Sequence, residues 1–328
     1  MIVQKKITTL LISQWFCILL SMNKTKINRL KEELFESKKV IVDVLRDDLN
    51  HPIIQGNKLR KLTYNIKNAK KKGNRTLLTF GGAYSNHILA VAQAGKEFGF
   101  ETIGIIRGEE TLPLNYTLRN CVALGMKIHY IDRTTYKLKN TPDFKDYLRN
   151  MYGSFYLIPE GGSNYYAING CMEIIPKKND YDYICCPMGT GGTIAGITIS
   201  NQNKSYVLGF PALKGGDFLT EEVTNFVDMV VNDKETTSDL MQSFSIIPDY
   251  HFGGYAKVKE ELINFVRNFY KVHQFKWDLI YNGKMAFGVY DLIEKGYFPE
   301  GSKILLIHTG GLQGINGIEE RKKCIIYD

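Results

Sequence analysis

Short apolar runs that break at glycine-rich turns and lead into helical segments recur along this chain, and that alternation narrows its fold more than any other feature. Val40 to Leu45, Thr76 to Phe80, Thr102 to Ile106, Met126 to Ile131, Phe155 to Ile158, Tyr183 to Cys186, Tyr206 to Phe210 and Lys303 to His308 read as strands. Between them lie helical segments: Leu59 to Lys70, a helix opened by Ser85 and Asn86, Leu114 to Leu124, Asp143 to Met151, Glu221 to Val231, Lys257 to His273 and Met285 to Lys295. Residues 232–254 are harder to read, with a strand-like Phe244 to Ile247. Strands that alternate with helices pair in parallel through right-handed crossovers, so the expected class is α/β. No repeat or low-complexity linker interrupts the pattern.

A chain of 328 residues suggests about two domains, or one large α/β unit with a lobe. The formal charge of +8 is partly local, with Lys67, Lys70, Lys71, Lys72 and Arg75 at one helix end. That cluster reads either as a nucleic-acid patch or as a solvated helix face whose cations suit the C-terminal dipole. The second reading is preferred, because no aromatic interleaving accompanies the lysines, and no nucleic-acid partner is expected. The six cysteines form no Cys-x-x-Cys pair, which fits a reducing, cytoplasmic setting. Lys5 and Lys6 precede an apolar Ile7 to Leu20, as in a signal peptide, but the stretch is short for a membrane span and shows no small-x-small cleavage site. Residues 1–22 are therefore expected to be an extension outside the fold. The stretch after Met22, Asn23 to Glu36, looks helical.

Three of the strand-ending turns are the best ligand candidates: Gly81-Gly82, Gly189 to Gly192 and Gly310-Gly311. Ligands in open α/β sheets bind beyond the carboxyl ends of strands, and glycine lets backbone amides come close. Gly189-Thr190-Gly191-Gly192-Thr193 stands between a strand and a helix, where amides and the helix N-terminus suit a phosphate. It is neither a Walker loop nor a dinucleotide fingerprint, because Ile194 occupies the third glycine position. Ser85 and Asn86 are natural helix caps and equally natural donors to a carboxylate. His87 is more simply structural. No metal site is expected among the scattered histidines. What remains is a lysine, Lys58, with a phosphate loop and a helix start rich in hydroxyl and amide groups. That is the minimal kit for pyridoxal phosphate, whose aldehyde needs an amine and whose phosphate needs an anion hole.

Gly56-Asn57-Lys58 with Arg60-Lys61, Gly81-Gly-x-Tyr-Ser-Asn-His87, the 189–193 loop with Ala195-Gly196, Tyr281-x-Gly-Lys284 and His308-Thr-Gly-Gly occur in this order. Over roughly Lys26 to Gly317 the chain resembles the aminocyclopropanecarboxylate deaminase and D-cysteine desulfhydrase family. The resemblance implies a tryptophan synthase β-like fold of type II, with the cofactor pyridoxal 5′-phosphate between two open parallel-sheet lobes. It implies a large lobe of residues 23–64 plus 163–328, a small lobe of residues 65–162, and a homodimer. By similarity Lys58 is the Schiff-base lysine and the base at Cα. Asn86 touches the cofactor's phenolic oxygen and Ser85 the substrate carboxylate. Gly189, Thr190, Gly191, Gly192 and Thr193 hold the phosphate with help from Lys61. Tyr281 is an active-site tyrosine that protonates the leaving group, and Thr309 is the hydroxyl partner of the ring nitrogen.

The resemblance also frames the choice of reaction on a small amino acid. In the deaminase branch a glutamate follows a second tyrosine; here Ile318 falls where that tyrosine is expected, with Glu319 next to it. Cyclopropane opening has no Cα proton to remove and demands a strong electron sink, whereas β-elimination of a thiol needs less. With Thr309 as a neutral partner, the expectation leans to β-elimination, as in D-cysteine desulfhydrase, giving pyruvate, ammonia and sulfide. Opening of 1-aminocyclopropane-1-carboxylate to 2-oxobutanoate is the enzymatic rival. A non-catalytic phospholigand or nucleic-acid binder on a degenerate scaffold is the rival of another class.

Overall fold

A computed structural model describes residues 25–327; the expected extension at residues 1–22 lies outside the described residues. Ten strands form two sheets. The larger has six: β1 (Ile27–Arg29), β2 (Ile41–Leu45), β7 (Tyr183–Met188), β8 (Tyr206–Pro211), β9 (Phe244–Ile246) and β10 (Lys303–Ile307), in the order β1-β2-β10-β7-β8-β9. Only β1 runs antiparallel to its neighbour. The smaller sheet is fully parallel, in the order β5-β4-β3-β6, from β3 (Thr76–Gly82), β4 (Glu101–Arg107), β5 (Met126–Ile131) and β6 (Tyr156–Ile158). Helices cover both sheets, so the central strands are apolar on both faces. Val42 and Val44, Ile184 to Cys186 and Leu305 to Ile307 are fully buried.

Of the helix expected over Asn23 to Glu36, the described residues form only its end. Ile27, Asn28 and Arg29 pair with Leu45, Val44 and Asp43 of β2, and only Glu33–Ser37 is helical. A sheet edge decides this segment: the Arg29 guanidinium meets the Asp43 carboxylate bidentately, at 2.5 and 3.1 Å. Helices at Tyr165–Cys171, Lys234–Met241 and Gly314–Lys322 have no counterpart in the sequence pattern. No helix among the described residues is long and apolar enough to cross a membrane.

The Asn57–Lys71 helix connects the two sheets. Leu59, Leu62, Ile66 and Ala69 pack with Leu77, Ile88 and Ile158 beside the smaller sheet. On its other side, Arg60 is buried against Asp47, its Nε 2.9 Å from both carboxylate oxygens, and donates to the Glu173 carbonyl. The turn before this helix presses on the loop after β10. Gly56 has φ +61°, and a Cβ there would lie 2.0 Å from the Thr309 carbonyl oxygen. Gly56→Ala is therefore expected to destabilise the fold by about 3 kcal/mol or more, the size of a serious core clash. Gly73→Ala shares the positive φ but has no heavy atom within 4 Å, and should cost only about 1–2 kcal/mol, the left-handed penalty alone. Urea midpoints of the two variants check the difference.

Candidate active site

Loops from the carboxyl ends of β3, β6, β7, β8 and β10 converge, with the start of the Asn57–Lys71 helix, around a cavity of about 820 Å³. The three glycine-rich turns singled out as ligand candidates meet here: Gly82, Gly189, Gly191, Gly310 and Gly311 all line it. Lys58, Lys61, Ser85, Asn86, Thr190, Thr193, Tyr281 and Thr309 line it as well. Gly192 opens the helix behind the 189–193 loop.

Lys61 defines one end. Its side chain is buried, and its ammonium donates to the Gly161 carbonyl (3.0 Å) and the Ser163 hydroxyl (3.1 Å). Among the described residues no carboxylate pairs with it. Ser163 Oγ also lies 2.6 Å from Thr190 Oγ1, and Asn57 Nδ2 donates to Thr193 Oγ1 (2.8 Å). A Cβ on Gly192 would sit 2.5 Å from Ser163 Oγ and 3.4 Å from the Lys61 nitrogen, so bare backbone is required. A buried, unpaired cation, a ring of hydroxyls and the N-terminus of the Gly192–Asn201 helix together make an anion cradle.

Lys58 stands one helical turn before Lys61. Its amine contacts Asn57 Oδ1 at 3.2 Å. Burial first, and then repulsion from Lys61, push its pKa down to about 7. In cofactor-free protein, amine-selective labelling of Lys58 is expected to reach half its maximal rate near pH 7. Lys61→Met should move that midpoint up, because the repelling charge is gone. Peptide mass spectrometry across a pH series reads both. The sign for stability follows by linkage. The folded state releases this proton before the unfolded state does, so between about pH 7 and the ordinary lysine value stability rises with pH.

At Thr309 the groups facing the cavity are neutral. Thr309 is buried, and both its backbone N–H (2.9 Å) and its hydroxyl (3.1 Å) point at Asn282 Oδ1. The amide orientation of Asn282 is set by the acceptors on its other side: Nδ2 donates to Asp278 Oδ2 (2.5 Å) and to the Gly310 carbonyl (2.8 Å). The Thr309 hydroxyl thus commits its proton to Asn282. Asp278 also accepts from the N–H groups of Ile280, Tyr281 and Asn282, so its charge caps the helix that starts there.

Tyr281 lines the cavity against Gly189, where a Cβ would come within 3.2 Å of its ring. Beside it is Tyr255, whose ring meets that of Tyr281 edge-on at 6.0 Å. Burial, followed by the neighbouring Tyr255 hydroxyl, raises the Tyr281 pKa well above the ordinary tyrosine value. Ile318, which stands where the resemblance led to a second tyrosine, and the neighbouring carboxylate Glu319 do not line the cavity. Ile318 is buried in the core beside the larger sheet, and Glu319 accepts from the Ile326 N–H at 2.8 Å. Helix periodicity decides this: residue 318 of the Gly314–Lys322 helix faces the core.

Ser85 caps its helix by accepting from the N–H groups of His87 (3.2 Å) and Ile88 (3.4 Å), which leaves its hydroxyl proton for the cavity. Asn86, the next residue, accepts from Gln313 Nε2. His87 is structural in its bonding. Thr79 donates its proton to the Ile158 carbonyl, so His87 Nε2 donates to Thr79 at 2.8 Å. Burial, with Lys58 and Lys61 nearby, holds this histidine neutral. Sequence reasoning missed Ser163, Asn282 and Tyr255. Each followed a visible signal: the turn Gly161-Gly162-Ser163, the motif Tyr281-x-Gly-Lys284, and the pair Gly253-Gly254.

The anion cradle and the amine near neutrality one turn away fit pyridoxal phosphate. The family described as pyridoxal-phosphate dependent enzyme matches residues 21–310. A Pyrococcus abyssi protein provisionally named 1-aminocyclopropane-1-carboxylate deaminase is 31% identical over 288 residues, covering 84% of this chain and 86% of that protein. The bifunctional D-cysteine desulfhydrase/1-aminocyclopropane-1-carboxylate deaminase, mitochondrial, of Arabidopsis thaliana is 29% identical over 300 residues, 83% of this chain and 72% of that protein. A crystal structure described as an ACC deaminase homologue superposes with a TM-score of 0.76 at 26% identity, covering 91% of this chain and 92% of that one.

Proposed function

We propose that this chain, which belongs to the pyridoxal-phosphate dependent enzyme family, is a lyase that removes a β-substituent from a small amino acid. D-Cysteine and water would give pyruvate, ammonia and hydrogen sulfide. The observation that carries the choice is the neutral wall at Thr309: Thr309 and Asn282 bring a hydroxyl and an amide, and the carboxylate of Asp278 is linked to Thr309 only through Asn282. Such a wall suits elimination of a good leaving group better than opening a ring with no proton at Cα.

When bound, pyridoxal phosphate supplies an aldehyde for an amine and a sink for the electron pair left at Cα. Lys58 would hold it covalently and Asn86 would bond its phenolic oxygen. Lys61, Ser163 and the backbone of 189–193, with the Thr190 and Thr193 hydroxyls, would hold its phosphate. The Ser85 hydroxyl would donate to the substrate carboxylate. The Lys58 amine, its pKa lowered to about 7 by burial and by Lys61, would take the Cα proton. The protonated Tyr281 hydroxyl, with Tyr255 beside it, would meet the departing sulfur as a hydrogen-bond donor. The 65–162 lobe would close on the rest to exclude water, and the protein would work as a homodimer, which a light-scattering mass of two chains would support.

A second reading is 1-aminocyclopropane-1-carboxylate deamination. The tyrosine pair favours it, as do the names of the similar proteins. Purified protein loaded with pyridoxal phosphate should release pyruvate and sulfide from D-cysteine with kcat/KM above that for the cyclopropane. Release of 2-oxobutanoate at equal or greater efficiency would overturn the elimination reading.

A further inference from the structure

Lys284 is buried at the third position of the Asn282–Glu294 helix. Its ammonium donates to three main-chain carbonyls: His251 (2.9 Å), Gly254 (2.9 Å) and Ala212 (3.2 Å). All three protons have acceptors, and among the described residues no carboxylate pairs with it. A buried lysine is costly, and a methionine would fill the same space without a charge to desolvate. What only a cation with three donors can do here is gather three carbonyls.

Those carbonyls belong to two segments. Ala212 follows β8, while His251 and Gly254 flank the loop that leads to Tyr255. That loop is irregular, and apart from Lys284 it is tied by the Gly253 N–H to His251 Nδ1 (2.8 Å), by the Tyr250 hydroxyl to Asp291 (2.5 Å) and by Arg321 to the Ala256 carbonyl. Phe252, Gly253, Gly254 and Ala256 all have positive φ, at 54°, 97°, 124° and 54°. Two turn hydrogen bonds, Gly254 N–H to His251 O (3.0 Å) and Lys257 N–H to Gly254 O (3.1 Å), fold it on the same carbonyls that Lys284 grips. Tyr281 lies at the N-cap of the Lys284 helix, its N–H bonded to Asp278 at 2.8 Å. One helical turn therefore carries Tyr281 directly and reaches Tyr255 through the Lys284 ammonium.

We propose that Lys284 is a positioning residue, whose ammonium pins the 249–256 loop to the first turn of the Asn282–Glu294 helix and so sets Tyr255 against Tyr281 at the cavity wall. Its consequence for turnover rests on the reading of that pair as part of the active site. Its consequence for the loop does not.

Both can be tested on Lys284→Ala, which lacks the equivalent of n-propylammonium, and on Lys284→Met, which keeps the volume. Hydrogen exchange in the 249–257 peptide should quicken by about tenfold or more in both variants. In Lys284→Ala it should return toward the native rate with n-propylammonium chloride and not with tetramethylammonium chloride. On the holoenzyme, Lys284→Ala/Tyr255→Phe should lose no more kcat/KM than Lys284→Ala alone, since two residues acting through one contact are not additive. Native exchange in both variants would overturn the proposal, and so would losses that multiply. A protein that turns over neither substrate refutes the functional reading and leaves the exchange result to decide the role of Lys284.

Discussion

Lys58→Ala protein is expected to lose turnover by about 10³-fold or more while keeping its fold. A positioned general base alone contributes about 10²–10⁴-fold, and this amine also has to hold the cofactor. Its helix is anchored independently, by the Arg60–Asp47 pair and by the apolar face of Leu59, Leu62 and Ile66. The variant also loses a buried amine that folding drives toward its neutral form, so its urea midpoint should match or exceed that of the parent. Steady-state rates with D-cysteine, beside urea titrations of cofactor-free protein, separate the two effects. A variant that still turns over within tenfold of the parent would remove Lys58 from the chemistry.

Lys61→Met has the next largest expected effect, and its sign differs between binding and stability. The ammonium at the cradle makes charge-assisted hydrogen bonds to an anion worth about 1.5–3 kcal/mol, so affinity for pyridoxal phosphate should fall about 10–100-fold. Without ligand, Lys61 is a cation that burial disfavours, its pKa lowered mainly by desolvation. Its proton leaves the folded state before the unfolded one, so the parent gains stability as pH rises toward the ordinary lysine value. The variant should show a smaller rise, the part due to Lys58 remaining, and at neutral pH should be no less stable. Melting temperatures with and without inorganic phosphate give the clearest comparison: phosphate should stabilise the parent and leave Lys61→Met unchanged. Lost stability with unaltered phosphate binding would make Lys61 a structural residue.

Much of this is legible in the sequence, for reasons that can be named. The strands at the centre of each sheet are buried on both faces, so they read as continuous apolar runs, and their glycine turns stand where backbones must approach closely. Lys58 and Lys61 were legible because a helix brings residues three apart to one face. Tyr255 was not. Its place at the cavity depends on three carbonyls gathered by a lysine some thirty residues later, and no local pattern encodes that. The Tyr165–Cys171 helix was hidden for a similar reason. A Cβ on Gly170 would lie 2.0 Å from the Arg60 carbonyl oxygen, so this segment is shaped by a neighbouring backbone rather than by its own propensity. The stretch around Ile318 misled because motif spacing alone cannot tell which face of a helix turns to the core. Asn282, whose amide binds Thr309 on one side and Asp278 on the other, looked like an ordinary helix start.

The proposed chemistry requires the cofactor to be carried on one particular lysine. Four lysines, Lys58, Lys61, Lys139 and the caged Lys284, lie in or beside the cavity, so the assignment is open to a direct check. Protein loaded with pyridoxal phosphate can be reduced with borohydride, digested, and its peptides mapped by mass spectrometry. The reduced pyridoxyl phosphate group should be found on Lys58 and should be absent from a Lys58→Ala sample. Label on Lys61, Lys139 or Lys284 in its place, or no stoichiometric label at all, would contradict the account.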